Sequence, residues 1–418
     1  MIKWLVWTIW LFGLQAHASD TAALGLKEVF QSSLKNAETL PIQQSRTLQS
    51  AERVNQAKAG LLPNLTFAMS YLRQDTGTSD GTSAFTKADQ TTTKATLTQP
   101  LFRGFREYAG IRATELDLKA QQAQEVQSRQ ALYKAVAQVF YAVLSANQDR
   151  QHIQTQVDLT AERVRELQSR SRIGRSRKGE VLAAQAQLEL LKSQLEAATF
   201  ELNQARDQFT IVTGLSNDLS LQDKIENLPS TLKPLEYYLS FLEKRGDLQA
   251  LEAQRDSTQE KIGIAKGAHL PSIDLGGNYY FKRTGVLENS RWDIGLAFTL
   301  PLYQGGAIVS QVREATEHLN EQELLLAQGR RQAIQSIEGS HRLFSSSLAQ
   351  IRALSEALTL AESNYREQTR DYRFGLVTNL DVLQALNSLQ DTRRTLDRTR
   401  YQAKTAYASL EASIGSIP

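Results

Sequence analysis

The sequence predicts a mainly α protein with a small β part: long antiparallel α-helical hairpins joined to four transmembrane β-strands per chain. Three observations carry this. The chain repeats itself at a nearly constant offset, and its 8 prolines leave two spans of more than one hundred residues free of helix breakers. Each half also holds a pair of segments in which apolar and polar residues alternate inside otherwise helical sequence.

Composition narrows the class. With 48 Lys+Arg against 45 Asp+Glu in 418 residues, the chain lacks the charge excess that a nucleic-acid partner would call for. A mean hydropathy of -0.39 leaves no room for a polytopic helical membrane protein. Cysteine is absent, which removes disulfide frameworks, thiolate metal sites, cysteine nucleophiles and lipidation of a mature N-terminal cysteine.

Residues 1–19 read as a secretory signal peptide. Lys3 supplies a positive start, residues 4–14 an uncharged apolar run, and Ala16-His17-Ala18 a small-residue cleavage signal before Ser19. The competing reading is an uncleaved anchor, but the run is too short for the roughly 30 Å bilayer core. No later segment is apolar for long enough either, so membrane insertion after export must use β-strands.

The repeat is read from matching motifs. Pro100-Leu101-Phe102-Arg103-Gly104 aligns with Pro301-Leu302-Tyr303-Gln304-Gly305, an offset of 201 that also superposes Gly174, Val181 and Leu182 on Gly375, Val382 and Leu383. Upstream, Leu62-Pro63 matches Leu270-Pro271 at 208, so the register changes inside a loop between strands. The repeats are placed at 20–213 and 235–418, with 214–234, polar and carrying two prolines, as the segment between them.

Within each repeat, strands are expected at about 64–73 and 92–102, and at about 272–282 and 291–301. Leu65, Phe67, Met69 and Tyr71 alternate with small or polar residues; Ile273, Leu275 and Tyr279, then Trp292, Ile294, Leu296 and Phe298, do so more cleanly. Pro63, Pro100, Gly104, Pro271, Pro301 and Gly305 mark the strand-to-helix junctions. Such strands could cover a soluble core, but the flanking sequence offers no layer to receive them. Tyr71, Tyr279, Phe281 and Trp292 instead sit toward strand ends like an aromatic girdle. Four strands cannot close a barrel, for which about eight is the minimum, so several chains must contribute.

The remainder reads as helix. Residues 104–172 lack proline and would extend roughly 100 Å as one helix at ~1.5 Å per residue. Leu132, Val136, Val139, Phe140, Val143 and Leu144 recur at three- and four-residue steps, a seam for a partner helix. A turn at 173–179 precedes a returning helix to about 213; the second repeat has a helix over 305–373, a turn at 374–379 and a return over 380–414. Catalytic patterns are missing: the five histidines, at 17, 152, 269, 318 and 341, show no metal-ligand spacing, and there is no P-loop or Gly-x-Ser-x-Gly. No cofactor is implied.

The ordered set of motifs resembles the TolC-type outer-membrane efflux proteins: two Leu-Pro strand entries, two Pro-Leu-aromatic-x-Gly exits, and two turns of the form Gly, five residues, Asp or Glu, Val-Leu. The resemblance implies a homotrimer whose strands form one twelve-stranded barrel in Gram-negative outer-membrane lipid, continued by an α-barrel through the periplasm. Such a duct is a passive exit for efflux or type I secretion, driven by an inner-membrane transporter of RND or ABC type through a periplasmic adaptor. It further implies a periplasmic aperture at the turns, where Asp381 matches a position at which three carboxylates would meet and Tyr372 an aromatic that helps hold the mouth closed. Two aperture positions depart from the family: Gln384 stands for a second acid and Val377 for a closing arginine, so closure is expected to involve neighbouring Arg373. Adaptor docking is implied for Ile173, Gly174 and Arg175 and for Phe374, Gly375 and Leu376, with Arg175 replacing the usual apolar residue. Arg163, Arg165, Arg170, Arg172, Arg177 and Lys178 make the first tip basic around Glu166, as a partner site or as a solvated helix end. Asp381 and Glu180 equally suit helix N-termini, where the macrodipole favours an acid. The rival class is an exported structural coiled coil or adhesin without a channel, which would carry heptads but no barrel strands.

Overall fold

The computed structural model describes residues 23–75, 87–224, 228–229, 231–285 and 287–417. The signal segment and much of the first polar loop lie outside them. The first half runs α1 (Leu26–Asn36), α2 (Thr39–Ala59), β1 (Asn64–Arg73), β2 (Asp89–Arg103), α3 (Arg106–Arg172) and α4 (Lys178–Thr213). The second follows with α5 (Leu235–Leu239), a 3-10 turn at Leu242–Lys244, α6 (Gly246–Gly267), β3 (Ser272–Arg283), β4 (Trp292–Thr299), α7 (Ala307–Arg373) and α8 (Asn379–Ser413). Helices α3 and α7 are both 67 residues long, and their ends lie at the repeat offset read from the motifs.

The junctions differ from expectation in detail, for local reasons. Both long helices start two residues late, because Gly104 and Phe105, like Gly305 and Gly306, hold φ between 60° and 84°. A left-handed pair cannot join a right-handed helix. Pro100 is not at the end of its strand. It lies within β2, where the pairing with β3 shifts between Pro100 and Phe102 and leaves Leu101 as the extra residue of a bulge. Strand β2 also starts earlier than expected, at Asp89, whereas β4 stops at Thr299, before Pro301.

The four strands form one antiparallel sheet in the order β1-β2-β3-β4. Register fixes its two faces. Leu65 pairs with Leu97, Phe67 with Ala95, Tyr279 with Trp292 and Phe298 with Ile273, which puts the large apolar side chains on one face, mostly exposed. The other face is polar. Lys94 Nζ and Thr96 Oγ1 donate to Asn278 Oδ1 at 3.2 and 2.7 Å, and Asn278 Nδ2 donates to Asp293 Oδ1 at 2.7 Å. Both β1 and β4 have an unpaired outer edge.

The predicted α3 seam is buried: Leu132, Val136, Phe140 and Val143 join Val29, Phe30, Leu202 and Phe209 in the largest apolar cluster. Nearer the sheet α3 crosses α6 on small residues, among them Ala109, Ala113, Ala120, Ala250 and Ala253. Closest approach is at the junction itself, where a Cβ on Gly104 would sit 2.2 Å from the Gly267 carbonyl oxygen. Gly305, its repeat counterpart, has open space around it.

These two glycines therefore separate backbone strain from packing. Gly305→Ala meets only the left-handed penalty of about 1–2 kcal/mol, whereas Gly104→Ala adds a backbone clash and should cost at least about twice as much. Thermal unfolding of the two variants in detergent, followed by circular dichroism, checks the order.

Candidate functional site at the helical hairpin tips

Each hairpin turns by the same hydrogen-bonded device. After α3, the Arg175 amide donates to the Arg170 carbonyl at 2.8 Å and the Gly174 amide to Ser171 at 3.0 Å; after α7, Leu376 donates to Asp371 and Gly375 to Tyr372. These are Schellman turns, and both central glycines hold positive φ, 73° and 75°. The motif satisfies the last carbonyls of the helix and leaves the next side chains without cover. Ile173, Arg175, Phe374 and Leu376 accordingly stand exposed at the two tips.

Both returning helices carry an acid in their first turn, and in α8 that acid completes a cap. Asp381 accepts from the Thr378 amide at 2.8 Å and from its hydroxyl at 2.6 Å, while Thr378 Oγ1 accepts from the Asp381 amide. This capping box holds the exposed Asp381 carboxyl below the ordinary carboxylate range, chiefly through the Thr378 hydroxyl. In the first repeat Ser176 Oγ donates to Glu180 at 2.6 Å. The helix-terminal role expected for both acids is thus present. Gln384, one turn further along α8, is exposed.

Behind the tips the two hairpins meet around Tyr372. The ring is buried among Val164, Leu167, Val181, Val382 and Leu383, and Val377 packs on the same cluster. A side chain expected only to lack a charge is therefore part of an apolar plug. Arg163 lies over the Tyr372 ring at 4.0 Å from its centroid and Arg170 at 5.3 Å. Arg163 Nε also donates to Asn379 Oδ1 at 2.7 Å, and both arginines pair with Glu166. The aromatic is thus engaged by Arg163 and Arg170 of α3, not by the neighbouring Arg373, which is exposed on α7. The basic run divides accordingly: Arg163 and Arg170 are committed inside, while Arg165, Arg172, Arg175, Arg177 and Lys178 face solvent.

Above the tips runs a polar seam between α3 and α8 that the sequence reading missed. Gln156 Nε2 donates to Asn387 at 2.8 Å, and His152 Nε2 lies 2.8 Å from Asp397 Oδ2. Asp149, only 6% exposed at its side chain, accepts from Arg394 at 2.6 and 3.0 Å and from Arg398 at 2.8 Å. Burial pushes the Asp149 carboxyl up, but the two guanidiniums more than offset this, leaving it below the usual range. Asp397 behaves alike: burial raises it, while His152 and Arg400 bring it below. The spacing of 149, 152 and 156 on one helix face was the available signal, but partners more than two hundred residues away gave it no meaning.

Comparison with known proteins decides what this frame is. The family model described as "Outer membrane efflux protein" matches residues 29–215 and 238–416. The chain belongs to the outer membrane efflux protein family. It is 26% identical over 426 residues to the outer membrane protein TolC of Escherichia coli (strain K12), covering 97% of this chain and 85% of that one. It is 23% identical to the alkaline protease secretion protein AprF of Pseudomonas aeruginosa, over 98% and 88% of the two chains. Its fold superposes on the outer membrane protein VceC of Vibrio cholerae with a TM-score of 0.81 at 20% identity, over 93% and 96% of the chains. As a family member the protein resides in the Gram-negative outer membrane, and its lipid-facing strands and long hairpins form parts of a channel.

The seam makes a pH prediction for this family member. Depressed carboxyls contribute stability above the ordinary Asp value of 3.8, and lose it as pH falls through their lower folded values. Acid unfolding below about pH 4 should thus titrate the α3–α8 contact, with no change between pH 5 and 8 from these groups. Asp149→Asn should cost about 2–3 kcal/mol at neutral pH, less than a fully buried pair because Arg398 is half exposed, and should flatten the acid limb of a denaturation series.

Proposed function

We propose that the chain is one third of a passive outer-membrane duct that carries efflux or secretion cargo from an inner-membrane transporter, through a periplasmic adaptor, to the outside. The observation that carries this reading is the sheet. It has an apolar face, a polar face and two open edges, and open edges are not tolerated in hydrocarbon. Edge β4 of one copy against edge β1 of the next is a head-to-tail contact, which closes into a ring when the rotation fits. Three copies supply twelve strands, above the minimum for closure. The exposed apolar residues Leu182, Leu190, Phe200 and Ile211 on α4 suit burial against a neighbouring copy's helices. The rival, a coiled coil without a channel, has no use for such a sheet. No catalytic step is part of the reading.

Threefold symmetry would bring three Asp381 carboxylates toward one axis, where their fixed ionisation favours cations. Tyr372 serves as the closing aromatic, held by Arg163 and Arg170 across the hairpin contact. Opening would break that stacking and the Arg163–Asn379 hydrogen bond. Ile173, Arg175, Phe374 and Leu376, together with the exposed basic groups of the first tip, form the adaptor surface, one patch apolar and one cationic. The cargo is selected by the transporter.

Conductance through planar bilayers tests the aperture. Asp381→Asn should lower cation over anion selectivity severalfold, and Arg163→Ala should raise the open fraction about threefold or more as the stacking is lost. An Asp381→Asn channel with unchanged selectivity removes the carboxylate ring.

Docking is read separately. Reversing Arg175 and Arg177 to Glu should abolish export while trimers still assemble on a gel; unchanged export would refute the basic docking surface.

A further inference from the structure

Partway along α3, where α1, α3 and the end of α8 come together, the structure holds a cleft of about 470 Å³. Tyr133 places it roughly 40 Å from the sheet at ~1.5 Å per residue, so it belongs neither to the strands nor to the hairpin tips. Its volume is that of a small-ligand pocket.

Two polar groups in its wall lack the partners that such groups find elsewhere in the chain. Tyr133 is 3% exposed and packs edge-on against Phe30, with centroids 5.0 Å apart, inside the largest apolar cluster. Yet its side chain lines the cleft, and no hydrogen bond reaches its hydroxyl among the described residues. A buried tyrosine hydroxyl usually finds a partner. Burial and the Glu411 charge push its ionisation up to about 12, so it remains a donor. Glu411 is the second group. Asp149 and Asp397 are met by arginines, whereas half-buried Glu411 has no ion pair among the described residues. Burial pushes its carboxyl above the ordinary range, and the bond from Tyr407 offsets only part of this.

The rim supplies the opposite sign. Lys224 is taken by Glu28 at 3.0 Å, but Lys27 stands exposed with no ion pair among the described residues. Leu26 and Ile417 make the wall between them partly apolar. A simple cation in this cleft would leave Lys27 unanswered, and a simple anion would face Glu411. A ligand carrying both charges answers each.

We propose that this cleft binds a short peptide by its free ends, with the amino group on Glu411, a peptide carbonyl on Tyr133 and the carboxylate on Lys27. An apolar side chain of the peptide rests on Leu26 and Ile417. The site needs neither a closed barrel nor a docked partner, so it stands apart from the duct.

Calorimetric titration of the full mature chain in detergent tests the assignment, with alanyl-leucine as the probe. It should bind with a dissociation constant below about 1 mM, and N-acetylation or C-terminal amidation should each weaken it about tenfold or more. Free leucine, which has no peptide carbonyl for Tyr133, should bind at least about fivefold more weakly than the dipeptide. Glu411→Gln should weaken alanyl-leucine about tenfold and leave the acetylated peptide unchanged; Lys27→Gln should do the same with respect to the amide. Lys27 is exposed, so its variant folds even where Glu411→Gln does not. No binding of alanyl-leucine up to about 10 mM overturns the site. So does binding that ignores acetylation, amidation or Lys27→Gln, and leucine held as tightly as the dipeptide overturns the peptide assignment.

Discussion

In hydrocarbon a strand has no water to satisfy its backbone, so each N–H and C=O must find a protein partner. A four-stranded sheet with two open edges cannot meet that requirement by itself, and much of the architecture follows. The edges call for other copies of the chain. The apolar face must point outward and the polar one inward, the reverse of a soluble sandwich. Leu65, Phe67, Ile294 and Phe298 are exposed in one chain for that reason. On the other face Lys94, Asn278 and Asp293 bond to one another, so the polar face is ordered within one chain.

The helices answer a different constraint. A hairpin of roughly 100 Å per helix cannot be held by one core, and its apolar contacts break into separate clusters along the length. Between the clusters, α3 and α8 are tied by polar and charged pairs. Such pairs contribute modestly at neutral pH, because desolvation offsets much of their Coulomb attraction, but they fix register between helices that could otherwise slide. At the tips the contact narrows to a small apolar cluster around one aromatic that two guanidiniums approach. That contact is weaker than the apolar clusters further up the hairpin. The largest apolar cluster is therefore the one around Phe30, Phe140 and Phe209.

The two repeats share their plan yet differ at the strand-to-helix junction. Gly305 and Gly306 pass from strand to helix without strain, whereas Gly104 and Phe105 make the same turn with an aromatic in the left-handed region and a backbone contact to Gly267. Duplication supplies equivalent positions, and divergence has given the two junctions different backbone demands.

The sequence by itself determined the periodic features. Alternation marked all four strands, three- and four-residue steps marked the α3 seam, and paired Pro-Leu-aromatic-x-Gly and Gly-containing turns gave the repeat, because these signals are local and each depends on a few neighbours. Tertiary structure alone decided what depends on distant partners. Nothing near Asp149 announces Arg394 and Arg398, and nothing near Tyr372 announces Arg163. Arg373, expected to take part in closure, is exposed in the single chain. The bulge after Pro100, and the parity change that puts Phe102 on the apolar face, likewise come from pairing between β2 and β3, a relation between segments about 170 residues apart. Short-range periodicity is written in the chain; which cation meets which ring is settled only when two hairpins pack.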